Sequence, residues 1–233
     1  SKYLLNDDQI YVLLATIADV MPLRGINKIL AINVIKNFDV NKNFIFKNLF
    51  KILDIKKKLE INDLGFKIAP LLNSAGRLDN ANKIVEMITT KSKSNISKII
   101  SKIYHLNNKR KFIEKRILDK LDFENLYNQK GVLVIYNPEI HEGIIGIIAS
   151  RIKDYYNKPC IVFTNSGNTL KGSARSTFDF NIGEHINKAL NKEIIIKGGG
   201  HNLAAGITIL EKNLERFKKF INRYYEEKNN LNK

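Results

Sequence analysis

Hydrophobic residues in the N-terminal part of the chain recur every three or four positions, which is the spacing of packed α-helices. The segment 10–20 is apolar and follows Asn6-Asp7-Asp8, three residues that can cap a helix. It predicts a helix, or a helix that runs into a strand. The same spacing predicts a second helix over 26–38 and a shorter one over 44–53. A mostly helical N-terminal part is therefore expected.

A further apolar segment, 64–72, leads into a run of small and polar residues, 73–77 (NSAGR). We interpret this run as a tight turn before a new helix, which Asp79 or Asn80 could cap. An arginine held in such a turn, Arg77, can grip a phosphate with its guanidinium and the neighbouring N–H groups. The alternative is that Arg77 is a surface or salt-bridging residue.

The clearest helical stripe covers 94–122, where apolar positions keep one face and Lys and Asn fill the other. About 28 residues at 1.5 Å each would span roughly 40 Å, more than a compact domain of this size needs. We therefore interpret the segment as a connector between two parts. The predicted divisions are an N-terminal part at 1–92, the connector at 93–124 and a C-terminal domain at 125–228.

From residue 131 onward, short runs rich in β-branched residues alternate with helical segments. The strand, helix, strand order over 132–164 predicts a right-handed crossover and a parallel pair of strands. The chain is thus expected to be an α/β protein. The predicted strands are 132–136, 161–164, 170–174 and 203–209; the predicted helices are 143–152, 182–190 and 213–226, followed by a polar tail that frays.

Composition narrows the class of protein. No apolar run among the 233 residues reaches the roughly 18 needed to span a membrane, and the single cysteine, Cys160, excludes a disulfide framework. We expect a soluble, cytoplasmic protein with no membrane partner. The net charge of +16 indicates an anionic partner such as nucleic acid. Only eight of the 39 basic residues are Arg, however, and biased base composition in the coding DNA would also produce such an excess of lysine.

Two candidate sites combine an unusual residue with an apolar neighbourhood. Asp19 lies inside the apolar segment 10–20, between Ala18 and Val20, where a carboxylate is costly to bury unless it is paired or bound to metal. The alternative is an aspartate at a helix end, capping or exposed. His141 and Gly143 lie between a predicted strand and the following helix, the place where α/β sheets commonly bind ligands.

Two more candidates follow in the C-terminal part. Ser173 and Arg175 point to one face of a predicted strand because strand side chains alternate. Three glycines, 198–200, precede His201; they either turn the chain before a strand or let a ligand approach bare backbone. Each histidine taken alone is more often structural. The histidines, the Arg with its Ser and the glycine run together indicate an anion pocket.

The chain contains five short motifs, which together extend over most of its length. They are 15–23 (ATIADVMPL), 73–78 (NSAGRL), 141–151 (HEGIIGIIASR), 172–176 (GSARS) and 199–206 (GGHNLAAG). Their order and spacing resemble the RecJ family of single-strand-specific DNA exonucleases, in the DHH phosphoesterase superfamily. Each motif is weak by itself, and the series is specific.

The resemblance implies a two-part enzyme. Its N-terminal α/β phosphoesterase domain would hold two divalent metals, Mn²⁺ or Mg²⁺, and here only a mostly helical remnant of that domain is expected. Its C-terminal α/β DHH-associated domain, with a mixed sheet, would close over the cleft and bind single-stranded DNA. The resemblance assigns Asp19 as catalytic metal ligand, and the substrate-binding residues as Asn73, Arg77, His141, Gly143, Ser173, Arg175, Gly199, Gly200 and His201.

The chain also departs from the family pattern. It contains no Asp-His-His triplet and no Asp-x-Asp-Gly motif, and Ile140 stands where relatives often carry Trp. We therefore expect a piece of an exonuclease that acts from the 5′ end in DNA repair and recombination, inactive by itself. The alternatives are an oligonucleotide or cyclic-dinucleotide phosphodiesterase, or a non-catalytic nucleic-acid-binding module. The sequence does not indicate an oligomeric state.

Overall fold

The computed structural model describes residues 8–121 and 123–231, and the chain divides into two compact units, Ser1–Lys111 and Phe112–Lys233. The first unit is helical, as expected. Its elements are α1 (Gln9–Ala18), α2 (Gly25–Asn37), α3 (Phe44–Ile52), α4 (Ile61–Asp63), a π-helical segment (Leu64–Ile68), α5 (Ala69–Leu78), α6 (Asn82–Thr89) and the first part of α7 (Lys93–Asp119). The division between the units falls within α7.

The segment 10–20 forms a helix and does not run into a strand. Helix α1 buries Ile10, Leu13 and Leu14 on one face, and it ends where Val20 adopts a left-handed backbone with φ of 54°. The predicted N-caps Asn6 and Asp7 lie outside the described residues. Asp8 occupies the N-cap position without a side-chain capping hydrogen bond, so the expected cap is not formed by that residue.

The core of the first unit is built around Phe46 of α3, which is completely buried. The rings of Tyr11 and Phe38 approach it edge-on, with centroids 5.8 and 5.1 Å away. Edge-to-face geometry of this kind is favoured by the aromatic quadrupole. The apolar stripes predicted from the sequence therefore meet in one core.

Residues 73–77 lie inside α5, so the expected tight turn before a helix is wrong. The small residues serve packing: Ser74 and Ala75 are completely buried, and the Ser74 hydroxyl donates to the Leu71 carbonyl (2.6 Å) and lies 3.2 Å from the Ile103 carbonyl. A Cβ on Gly76 would already contact Ala81 at 3.4 Å. Gly and Ser favour turns in isolation, but here close helix packing decides the conformation.

The second unit contains a five-stranded mixed sheet in the order β1-β2-β3-β5-β4, as expected for its α/β class. Strand β1 pairs with β2 in parallel, and all other pairs are antiparallel. The strands are β1 (Leu133–Tyr136), β2 (Cys160–Ser166), β3 (Thr169–Arg175), β4 (Lys197–His201) and β5 (Ala204–Ile209). The helices are α8 (Phe123–Asn128), α9 (Ile145–Tyr156), α10 (Ile182–Asn191) and α11 (Leu214–Leu231).

The two faces of the sheet are covered differently. Phe163, Ala174 and Ile207 point to the face on which α10 and α11 bury Ile186 and Phe217. Helix α9 packs against β2 and β3 on the opposite face.

The C-terminal helix continues to 231, so the tail expected to fray after 226 is helical over the described residues. Within residues 8–121 and 123–231, no helix has the length and apolar character needed to cross a membrane.

The glycine run 198–200 forms the edge strand β4, where the sequence had predicted a loop or a turn. Its backbone pairs with β5, Gly199 opposite Gly206 and Gly200 opposite Ala205. A Cβ on Gly200 would lie 2.2 Å from the Ala204 carbonyl oxygen, and one on Gly183 of α10 would lie 2.8 Å from the His201 carbonyl oxygen. The strand keeps glycine because helix α10 and strand β5 approach its backbone closely.

Candidate nucleic-acid interface

An open trough lies on the α9 side of the sheet in the second unit. The register places Ser173, Gly206 and Gly199 in one row across β3, β5 and β4, and Arg175, Ala204 and His201 in the next. Residues two apart on a strand share a face, so these two rows form one surface. Helix α9 covers its β3 side, whereas Gly199, Gly206 and His201 remain exposed.

The floor of the trough is bare backbone. A Cβ on Gly199 or on Gly206 would have no atom within 4 Å, so the space above both residues is open. Glycine weakens a strand interior by roughly 0.5–1 kcal/mol relative to Ala, and no neighbouring group among the described residues requires it at these two positions. Such a floor allows a ligand to approach the strand backbone closely.

Arg175 forms the wall of the trough next to α9. Its guanidinium donates to the Ser173 hydroxyl (3.1 Å) and to the Ala174 carbonyl (2.8 Å), and a Cβ on Gly146 would lie 3.1 Å from its outer nitrogen. Partial burial lowers the pKa of Arg175, but an Arg side chain remains charged at neutral pH. No carboxylate among the described residues forms an ion pair with it. This fixed cation is available to an anion.

The N-terminus of α9 adds a second source of positive potential. Helix α9 begins at Ile145, and Gly146 in its first turn faces both Ser173 and Arg175. The first N–H groups of a helix and its macrodipole attract anions, and phosphate is the usual one. The guanidinium, the Ser173 hydroxyl and this helix end therefore meet at one place, which suits a phosphate group.

The loop before α9 carries His141 and Gly143. The Nδ1 atom of His141 accepts a hydrogen bond from the backbone N–H of Gly143 at 3.1 Å, and the imidazole is exposed. The bond orients the ring and leaves Nε2 as its outward polar atom. His201 is also exposed, at the end of β4 and in the row of Arg175.

Gly200 differs from Gly199. It pairs with buried Ala205 and, by alternation, lies on the α10 face of the sheet, away from the trough. The trough thus brings together Ser173, Arg175, Gly199 and His201. Two further residues were missed as site residues, Gly146 and Gly206. The small residues 146 and 149, three positions apart on α9, were the available signal for the first.

The remaining candidates lie in the first unit. Asp19 is exposed at the C-terminal end of α1, the negative end of the helix dipole, so it does not serve helix stability. In α5, Asn73 is exposed and Arg77 is half-buried. Ala18 and Asn73 line a common groove of about 330 Å³, so the structure brings the neighbour of Asp19 next to α5.

A metal site is not formed by the described residues alone. No group of three or more His, Cys, Asp or Glu side chains within 8–121 and 123–231 is arranged to hold a metal ion. Asp19 supplies one carboxylate, whereas a two-metal site needs several ligands. The residues present therefore do not fit the metal pair that the sequence resemblance implies, and Asp19 is at most one contributor to such a site.

Comparison with known proteins agrees with the fold. Residues 129–227 match the family described as the DHHA1 domain. The single-stranded-DNA-specific exonuclease RecJ of Salmonella typhimurium is 34% identical over 221 residues, covering 89% of this chain and 38% of that protein. Crystal structures of RecJ from Thermus thermophilus in complex with Mg²⁺ and with Mn²⁺ superpose with TM-scores of 0.82 and 0.83 at 25% and 26% identity.

The similarity extends over only part of these relatives. Each crystal structure covers 95% of this chain, which in turn spans 35% and 33% of the two crystallised proteins. The chain thus spans little more than a third of the length of the relatives that it matches. Residues 129–227, which lie in its second unit, match the DHHA1 domain, and the chain is homologous to part of the length of the RecJ single-stranded-DNA exonucleases.

Proposed function

We propose that this chain provides the strand-binding part of a single-strand-specific DNA exonuclease that acts from the 5′ end in DNA repair and recombination. One observation carries the proposal: the Arg175 guanidinium, which pairs with no carboxylate of the described residues, lies beside Ser173 and the N-terminus of α9, above an open glycine floor. A backbone phosphate of the strand would bind there, and His141 and His201 would contact its neighbours. Arg77 and Asn73 are proposed as further phosphate contacts.

The protein groups can bind and orient a strand without any chemical step. Arg175 neutralises one phosphate charge and Ser173 holds the guanidinium in place, while bare backbone at Gly199 and Gly206 lets the sugar-phosphate chain lie close. We propose that Asp19 contributes a ligand to a site for Mn²⁺ or Mg²⁺, the ions bound by RecJ of T. thermophilus.

Substitution of Arg175 tests the proposal. Arg175→Ala should weaken binding of a 5′-phosphorylated oligo-dT at least about tenfold, since a hydrogen bond to a charged group contributes roughly 1.5–3 kcal/mol. Fluorescence anisotropy at fixed salt measures it. Arg216→Ala is the matched control, because it removes the same charge from the exposed side of α11, on the other face of the sheet. Equal losses in the two variants would rule out the trough as the phosphate site.

A length series separates the strand-binding proposal from the alternative of a dinucleotide phosphodiesterase. The trough is open at the β4 edge of the sheet, so it has room for a continuing chain. Affinity should therefore rise from a dinucleotide to a decamer. Affinity that is already maximal for a dinucleotide would favour the alternative.

A further inference from the structure

The loop between β3 and α10 displays a phenylalanine to solvent. Phe178 is 96% exposed, the highest value among the large hydrophobic side chains that the structure describes as exposed. Its neighbour two positions later, Phe180, is completely buried in the core of the second unit. The Phe180 ring is used by the core, whereas the Phe178 ring is accessible to a ligand.

The loop is held in one conformation by hydrogen bonds. The Ser176 hydroxyl donates to the Phe180 carbonyl at 2.6 Å, and the Ser176 N–H donates to the Leu203 carbonyl at 2.9 Å. The Ile182 N–H donates to the Asn202 carbonyl at 3.1 Å, which ties the other end of the loop to the same β4–β5 turn. Phe178 is therefore the tip of an ordered loop.

The loop lies at the end of the sheet that also carries His201. It follows Arg175, the last residue of β3, directly. The next residue, Ser176, hydrogen-bonds through its backbone N–H to Leu203, which precedes β5. Phe178 is three positions after Arg175, so their Cα atoms are at most about 11 Å apart. Phe178 therefore lies close enough to Arg175 for one bound strand to contact both residues.

We propose that Phe178 is a stacking platform for one base of a single-stranded nucleic acid whose phosphate is bound at Arg175 and Ser173. The inference rests on the proposed function. Aromatic rings bind bases of any sequence because every base has a π-face, which suits a protein that binds single strands without sequence preference. Asp179, the exposed neighbour, repels phosphate and so favours a base at this position.

Affinity for two related strands tests the stacking contact. Phe178→Ala should weaken binding of a 5′-phosphorylated decamer of dT about tenfold, within the range found for loss of one stacked base. The same variant should bind an abasic decamer, which keeps the sugar-phosphate chain and lacks bases, as tightly as the unsubstituted chain. Phe112→Ala, which removes an exposed ring from α7, is the control and should change neither affinity.

Fluorescence provides a second, independent readout. The chain contains no tryptophan, so Phe178→Trp introduces one fluorophore at the platform. Its emission should be quenched by the dT decamer and unchanged by the abasic one, whereas Phe112→Trp should respond to neither. Retained affinity in Phe178→Trp would show that an aromatic ring is sufficient.

The outcomes distinguish the inference from the function on which it rests. If the unsubstituted chain binds dT and Arg175→Ala loses binding while Phe178→Ala does not, the platform is refuted and the strand-binding role stands. Equal weakening of dT and abasic binding by Phe178→Ala would also refute stacking, because it would point to a structural effect. If the unsubstituted chain binds neither strand, both proposals are overturned.

Discussion

At the residue scale, the glycines of the sheet fall into two groups that differ in what surrounds them. A Cβ on Gly172 would lie 2.4 Å from the ring of Phe163, so that glycine is required by the core. Gly206, across the sheet on the trough side, faces open space, and its backbone φ is not in the left-handed region. Folding therefore explains the first glycine, whereas the open space above the second is consistent with the proposed strand binding.

Substitution of these two glycines should have opposite effects. Gly206→Ala should leave the free energy of unfolding unchanged or raise it by up to about 1 kcal/mol, because Ala restricts the unfolded chain. It should nevertheless weaken binding of oligo-dT, and Gly206→Val should weaken it further. Gly172→Ala should instead lower the free energy of unfolding by about 1–3 kcal/mol through overpacking. Urea unfolding and anisotropy measure the two properties, and unchanged DNA affinity in Gly206→Val would contradict the proposed floor.

Cys160 provides a test of the core beneath the trough. Burial raises the pKa of this thiol well above its ordinary value, so it remains protonated at pH 8 in the folded protein. The thiolate is the reactive form, so labelling with a thiol reagent should be slow at pH 8 and fast once urea unfolds the chain. Above about pH 8.5 the unfolded thiol ionises first, so this group then lowers stability. Immediate labelling without denaturant would show that β2 is not buried as described.

At the element scale, helix α9 positions the phosphate site. Ile148 and Ile152 are buried on one side of the helix, and Arg151 on another side bonds to the Glu114 carboxylate of α7 at 2.9 Å. The Glu114 side chain is 10% exposed and Arg151 is 64% exposed. The arginine therefore neutralises a nearly buried carboxylate and orients the helix whose first turn faces Arg175.

Loss of this ion pair should destabilise the second unit. Arg151→Ala should lower the free energy of unfolding by about 1–3 kcal/mol, because it removes the cation that bonds to Glu114. Adding Glu114→Gln to Arg151→Ala should recover part of the loss, since the buried charge is then removed. Thermal unfolding measures both, with Arg216→Ala as a surface control. Additive losses in the double variant would show that the pair is not energetically coupled.

Some elements were predicted correctly from the local hydrophobic pattern, and others were not. The helix over 44–53 and the strands over 132–136, 161–164 and 170–174 follow the predicted stripes, because burial of one face and the hydrophobic period coincide there. The helix over 26–38 forms, but Ile26, Ile29 and Ile32 are exposed, so only part of its predicted apolar face is buried against the described residues.

The segments 73–77 and 198–200 depart from the predicted turns, because Ser74, Gly198 and Gly200 lie where other parts of the fold approach closely. Gly199, in contrast, faces open space. Helix α7 ends at Asp119, earlier than the predicted 122, a position outside the described residues.

At the scale of the whole molecule, the net charge of +16 should act through phosphates. The logarithm of the affinity for oligo-dT should fall linearly with the logarithm of salt, by about 0.7 per phosphate neutralised. Arg175→Ala should reduce the steepness by about that amount. Anisotropy titrations between low and moderate salt measure the slope, and a flat dependence would mean that the lysine excess reflects composition rather than strand binding.

The chain by itself should not hydrolyse DNA. Because the described residues contain no three-ligand cluster, the chain with Mn²⁺ or Mg²⁺ should release no nucleotides from a 5′-phosphorylated single strand. A RecJ homologue such as that of S. typhimurium, of which the matched region is only 38%, serves as positive control. Metal-dependent release of nucleotides by the purified 233-residue chain would contradict this expectation.

The sequence by itself determined the helical N-terminal part, the α/β order of the C-terminal part and the resemblance to part of RecJ, because these depend on hydrophobic period and on motif order. It also named Ser173, Arg175 and His201, since polar residues next to glycines stand out from a lysine-rich background. Each of these signals can be identified from the type and spacing of residues along the chain, without knowledge of which residues meet in space.

Only the tertiary structure decided what those residues form together. Strand register aligned Ser173 with Gly206 and Gly199, and the packing of α9 placed a helix end beside Arg175. Register and packing join residues far apart in the chain, so no local pattern contains them. For the same reason, the sequence did not show that the glycine run forms an edge strand or that Asp19 lies at an exposed helix end. The exposure of Phe178 likewise depends on the tertiary structure.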